Sequence, residues 1–177
     1  AMMAVGDGLA LALARRRDFS ADDFHKHHPG GMLGAGLRPV TEVLRFRVGD
    51  NLPLLRDDVS VRNALKEAGG ARRAGAIVLT DADGHLSGLF TDGDLRRLVN
   101  TSDDPTRALD GPIAECMTRS PRHLLSSDLV RDAVRLIREL RVDEIPVVDP
   151  NGIPVGLIDV QDLIAMKVVQ EHGVDEH

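Results

Sequence analysis

Two seven-residue stretches group side chains that could do chemistry. They are Gly-Leu-Phe-Thr-Asp-Gly-Asp at residues 88–94 and Gly-Leu-Ile-Asp-Val-Gln-Asp at residues 156–162. In the first, Thr91 and Asp94 stand where an apolar run gives way to a polar, helix-like one. A hydroxyl can donate and accept a hydrogen bond, and a carboxylate can accept two at once. The second stretch keeps Asp162 but has Asp159 in place of the hydroxyl. An acid there repels an anion unless it is protonated or metal-bridged. A simpler explanation competes: Asp94 and Asp162 are first-turn carboxylates, favoured by the helix dipole whether or not a ligand binds.

A third group of chemical interest is the histidine cluster His25, His27 and His28 in Asp-Phe-His-Lys-His-His-Pro-Gly-Gly-Met-Leu-Gly, residues 23–34. Ser20 is a good N-cap, Asp23 follows three residues later, and Phe19 and Phe24 are placed as a hydrophobic staple, so a short helix is expected to run into Pro29. The histidines can decorate its last turn, where cations are favoured. A metal would use His25 and His28, but no nearby cysteine or paired acid completes the set, and no metal is expected. An imidazole that titrates near neutrality also suits proton transfer, so a catalytic role stays open.

The elements that position these residues follow from an internal repeat. The stretch from Ala76 and the stretch from Glu144 superpose at an offset of 68 residues, which carries Asp81 onto Asp149, Gly84 onto Gly152, Gly88 onto Gly156 and Asp94 onto Asp162. Upstream, the Val61 and Val130 segments align at 69, so one residue separates the copies in the helix-to-strand connection.

In each copy a helix comes first, capped by Ser60 in one and Asp128 in the other. Two short apolar runs follow, Ala76 to Leu79 with Leu86 to Phe90, and Ile145 to Val148 with Val155 to Ile158. They are joined by Asp83-Gly84 and Asn151-Gly152, hairpin signals of the type I′ kind. A second helix closes each copy, from Gly93 to Val99 and from Gln161 to Val169. With the runs before Ser60 and Asp128 counted as strands, each unit reads β-α-β-β-α, an α/β (α+β) arrangement.

Composition narrows the function classes. The chain of 177 residues is 42% apolar and 28% charged, as globular proteins are. A net charge of −6 argues against a nucleic-acid partner, and four Phe with no Trp or Tyr leave few stacking platforms. A single cysteine, Cys116, excludes an internal disulfide framework and reads as an inert thiol in a reducing, cytoplasmic setting. The basic run Arg15 to Arg17 follows the first apolar stretch instead of preceding it, unlike a signal peptide, and no membrane partner is expected.

Two β-α-β-β-α copies, each ending in the Gly-x-x-[Thr/Ser]-x-x-Asp pattern or a variant of it, resemble a tandem cystathionine-β-synthase (CBS) domain pair over roughly Val48 to Val169. The resemblance implies a module that binds a nucleotide in a cleft between repeats, with Thr91 near phosphate and Asp94 and Asp162 on ribose hydroxyls. Base identity is expected to depend on backbone groups around Ala76 to Val78 and Ile145 to Val147. Residues 1–36, with His-Pro-Gly-Gly at 28–31, are similar to the end of the sugar isomerase (SIS) domain of KpsF/GutQ-type arabinose-5-phosphate isomerases.

That resemblance implies a parent enzyme interconverting D-ribulose 5-phosphate and D-arabinose 5-phosphate for Kdo biosynthesis, with His28 as an active-site histidine. Nothing here supplies the sheet and phosphate loops of a SIS domain, so the chain alone is expected to lack isomerase activity and to be a C-terminal piece. The expected layout is a SIS remnant at 1–36, a linker at 37–47, CBS 1 at 48–101, a loop at 102–112, CBS 2 at 113–170 and a tail at 171–177. No cofactor is required; AMP, ADP, ATP or CMP-Kdo is the expected ligand class. The expected protein partners are the SIS domain and a second copy, through CBS-to-CBS contacts. The competing expectation is an oligomerisation module with no specific ligand.

Overall fold

The computed structural model describes residues 35–69 and 74–165. The first helix of the first repeat, α2 (Val61–Ala68), starts where expected: the Ser60 hydroxyl accepts a hydrogen bond from Asn63 N at 3.3 Å. Its counterpart α5 (Val130–Leu140) begins differently. The Asp128 carboxylate turns back to Leu125 N, and Asp132 inside the helix accepts instead from Leu129 N at 3.2 Å. Asp128 is thus a turn residue and not the cap, because the helix begins one residue later than its sequence signal.

Around these helices, among the described residues, run eight strands: β1 (Phe46–Arg47), β2 (Leu54–Arg56), β3 (Ala76–Thr80), β4 (Leu86–Thr91), β5 (Thr118–Arg119), β6 (Leu124–Leu125), β7 (Glu144–Val148) and β8 (Pro154–Asp159). They form two four-stranded sheets ordered β2-β3-β4-β5 and β1-β8-β7-β6. Within each, a parallel pair (β2 with β3, β6 with β7) adjoins an antiparallel hairpin (β3 with β4, β7 with β8). The closing helices are α3 (Asp92–Thr101) and α6 (Val160–Ala165). The β-α-β-β-α reading therefore holds for both copies.

Two very short strands were not legible as part of the repeats. Strand β1, from the segment read as a linker, pairs antiparallel with β8 of the second repeat, with Phe46 opposite Leu157. Strand β5, which leads into the second repeat, pairs antiparallel with β4 of the first, with Thr118 opposite Leu89. Each repeat thus lends its leading strand to the other's sheet. The glycine that opens each motif explains how. A Cβ on Gly156 would lie 2.6 Å from Leu44 Cδ1 and 2.7 Å from the Phe46 carbonyl oxygen, and one on Gly88 would run into the Met117 side chain.

The segment 37–47 also holds the short helix α1 (Val40–Val43), and 102–112 holds α4 (Pro105–Ala108) with Asp104 as its N-cap. Val40, Leu44 and Phe46 are buried, so the approach to the first repeat is part of the core.

The hairpins differ in kind from the expected type I′ turn. Only the glycines take positive φ, +87° at Gly84 and +85° at Gly152. Gly84 N donates to Asp81 O and Asp81 N to His85 O; Gly152, Asp149 and Ile153 repeat the pattern. This is a three-residue loop in which a glycine in the left-handed region follows an ordinary turn. Asp81 Oδ1 accepts from Asp83 N and His85 N, both at 2.9 Å, and Asp149 Oδ1 does the same for Asn151 N and Ile153 N. The aspartate at each turn's start thus fixes the loop.

Apolar alternation divides the core into three parts. Ile77, Leu79 and Phe90 face α2, and Ile145, Val147 and Ile158 face α5. On the other faces, Val78, Leu89 and Ala76 of one sheet meet Leu157 and Phe46 of the other. The two repeats therefore share an interior, which makes them one packed body.

Candidate functional site

Thr91 ends β4 and is the N-cap of α3. Its hydroxyl accepts from Asp94 N at 3.3 Å, and the Asp94 carboxylate accepts from Thr91 N at 2.9 Å and from Thr91 Oγ1 at 3.0 Å. The other carboxylate oxygen of Asp94 pairs with Arg97. Asp94 is 3% exposed. A carboxylate presented to a ribose was expected here; the structure turns it inward, because the reciprocal cap and Arg97 engage both its oxygens. Asp94 is a brace for the turn that carries Thr91.

That turn opens onto a cleft of about 690 Å³ between the repeats. Thr91, Asp92, Gly93 and Arg96 line it from α3 and the turn before it, and Thr118, Pro121 and Arg122 from β5 and the loop that follows. Leu140, Val142, Asp143 and Glu144 close it from the end of α5 and the start of β7. This wall is turned into place by Arg141, whose φ of +54° puts a left-handed residue at the C-cap of α5. The strand exchange has a direct consequence: it brings Thr118 and Arg122 of the second repeat to the motif of the first.

The cleft carries both signs of charge. The N-terminus of α3, with two guanidiniums and the Thr118 hydroxyl, suits an anionic group. Opposed to these are Asp92, Asp143 and Glu144. Burial, with Asp143, Asp159 and Asp92 nearby, pushes the Glu144 carboxyl up to about 7. The sign follows from linkage: the folded state holds this proton more tightly than the unfolded chain, so the stability it gives is present below about 4.5 and is lost as pH rises through about 7. Glu144→Gln should therefore flatten the decline in melting temperature between pH 5 and pH 8; an unchanged profile would show that Glu144 does not titrate there.

The second motif is built otherwise. Asp159 Oδ1 accepts from Gln161 N at 2.8 Å, filling the capping place of a hydroxyl. Asp162 Oδ1 accepts from Arg45 Nη1 at 3.3 Å, while its Oδ2 is buried with no partner among the described residues. Burial pushes the Asp162 carboxyl up, against the hydrogen bond from Arg45. Of the expected site residues, Thr91 alone lines the cleft; Asp94 lies behind it and Asp162 under Arg45. His28, with His25, His27 and the expected SIS remnant before residue 35, lies outside the described residues.

Sequence reasoning missed Arg96, Arg122, Asp143 and Glu144. The first two belong to no motif that the sequence marks. Glu144 had a signal: the repeat offset sets it against Ala76, so an acid replaces a small core residue at the start of a strand. The strand residues expected to read the base, Ala76 to Val78 and Ile145 to Val147, do not line the cleft; their neighbours Gly75 and Glu144 do. The only cysteine, Cys116, is partly buried, and burial raises its thiol pKa. Among the described residues Asp81, Asp83 and His85 gather ligand atoms within 4.8 Å, but the hairpin turn accounts for that grouping.

Residues 113–168 match the CBS domain family. A solved CBS domain, NE2398, superposes with a TM-score of 0.62 at 28% identity, over 75% of this chain and 100% of its own. The chain has the fold of a CBS domain pair, and its second repeat matches the CBS family itself. CBSX2, crystallised in complex with AMP, has the same fold, with a TM-score of 0.59 at 24% identity over 73% of this chain and 96% of its own. Over its sequence the CBS pair is similar to arabinose 5-phosphate isomerases: KdsD of Pseudomonas aeruginosa at 34% identity over 94% of the chain, and GutQ of Escherichia coli K12 at 35% over 93%. The chain spans about half the length of these relatives, 50% of each. Among the described residues, no helix is long and apolar enough to cross a membrane.

Proposed function

We propose that this CBS pair is the regulatory portion of a cytoplasmic arabinose-5-phosphate isomerase and binds a nucleotide or nucleotide-sugar in the cleft at Thr91. The observation that carries the reading is the convergence of the α3 N-terminus, Arg96 and Arg122 on one cavity whose other walls include Leu89, Pro121 and Val142. Guanidiniums and helix amides suit a phosphate, and the apolar wall suits a planar base. The similarity to KdsD and GutQ supports the parent activity, and the fold shared with CBSX2 supports a nucleotide as the kind of ligand. In the whole enzyme His28 would serve the aldose-ketose proton transfer, for which an imidazole is suited.

Asp94 acts here by holding Thr91 and the first turn of α3 in position. The second motif is the weaker candidate, since Asp159 would face a phosphate with a like charge and Arg45 already pairs with Asp162. The test is calorimetric titration with AMP, ADP, ATP, CMP and CMP-Kdo, beside an Arg96→Ala/Arg122→Ala variant, whose exposed side chains lie outside the core. Saturable binding by one ligand, weakened at least roughly tenfold in the variant, is the expected outcome. No binding at millimolar ligand would replace this reading with that of a subunit-joining module.

A further inference from the structure

The acidic wall of the cleft is not explained by phosphate binding. Glu144 begins β7 directly opposite Asp159 on β8, follows Asp143, and lies near Asp92 at the start of α3. Like charges facing across strands are unfavourable. The carboxyl also lies against Gly75, where a Cβ would meet a Glu144 carboxylate oxygen unless that side chain swung aside. Arg96 on α3 and Arg122 after β5 line the same cavity and disfavour a bare cation there. A ligand with an anionic end and a hydrogen-bond-donating end satisfies both sets of groups.

We propose that Glu144 is a specificity-determining residue of this cleft, accepting a hydrogen bond from the exocyclic amine of a nucleobase whose phosphate is held by Arg96 and Arg122. The inference rests on the nucleotide reading above and adds to it the class of base: adenine or cytosine, against hypoxanthine or uracil. A base with a carbonyl at the same place would turn an oxygen toward the carboxylate and be repelled. Near neutral pH the Glu144 carboxyl exchanges its proton, so an amine is favoured increasingly as the pH rises.

The experiment compares AMP with IMP and CMP with UMP, pairs that differ in amine against carbonyl, on the full chain at pH 6 and pH 8. With the native chain, the amine member of the binding pair should be preferred roughly tenfold at pH 8 and less at pH 6. Glu144→Gln, which keeps the size and removes the ionisation, should bring the preference below about threefold and abolish its pH dependence. Its melting curve shows whether it is folded; Glu144→Ala serves as the second variant if it is not. Saturable binding with the same preference in native and variant chains would overturn the role of Glu144 and leave the nucleotide reading standing. If none of the four binds the native chain and ADP, ATP and CMP-Kdo do not either, both fall together.

Discussion

Replacing Gly156 by valine is expected to lower the unfolding free energy by about 3 kcal/mol, at the upper end of the usual cost of overpacking. The first atom of the new side chain would sit 2.7 Å from the Phe46 carbonyl oxygen, which is backbone and cannot rotate away. Relief requires β1 to leave β8, and with it the buried Leu44 and Phe46, whose burial is worth roughly 1.5–3 kcal/mol each. Gly93→Ala is the matched comparison. Its Cβ would meet nothing nearer than Thr91 Oγ1 at 3.4 Å, and at a helix start it should cost little or stabilise slightly. Urea denaturation of the two variants reads the difference; equal midpoints would show that the strand exchange contributes little to stability.

Asp94→Ala should cost about 2–3 kcal/mol, whereas Asp162→Ala should stay within about 1 kcal/mol of the native chain, although the two residues are equivalent in the repeat. Asp94 is buried with both oxygens engaged, and its loss removes the reciprocal cap and strands the amide of Thr91. Arg97 is mostly exposed and returns to water, which keeps the cost below that of breaking a fully buried pair. Asp162 already has a buried oxygen with no partner among the described residues, so its removal relieves a penalty as it loses the Arg45 contact. Thermal melts of both variants measure the asymmetry. Equal losses would mean that both aspartates brace their turns alike.

How far the sequence reached depends on the scale of the feature. The doubled pattern of apolar runs, turn residues and helix starts was legible because each copy repeats it within the span of one hairpin and its helices. The pairing of β1 with β8 was not. Phe46 and Arg47 make a two-residue strand, too short for an alternation signal, and their partner lies more than a hundred residues away. The turn type was misread because Asp-Gly and Asn-Gly suit two loop lengths. The deciding group is the aspartate carboxylate at Asp81 and Asp149, which holds the longer loop.

At the site, motif spacing singled out Thr91 and Asp94 together; the structure sets Thr91 on the cleft and Asp94 behind it, a difference not legible in sequence because a capping carboxylate and a ligand-facing one look the same in a string of letters. Arg122 and Glu144 enter the cleft from the other repeat, and no local pattern reports that juxtaposition.

The crossed leading strands also set what can fold by itself. Many of the decisive contacts join residues far apart in sequence, so the edges of both sheets close only after long loops have formed, a slow step in folding. A gene cut between the repeats would yield two pieces, each with an open sheet edge and an unpaired strand that fits the other. Mixed together, they should reassemble; kept apart, each lacks the strand that closes its sheet and offers a second copy only its own leading strand, β1 in place of β5 or β5 in place of β1.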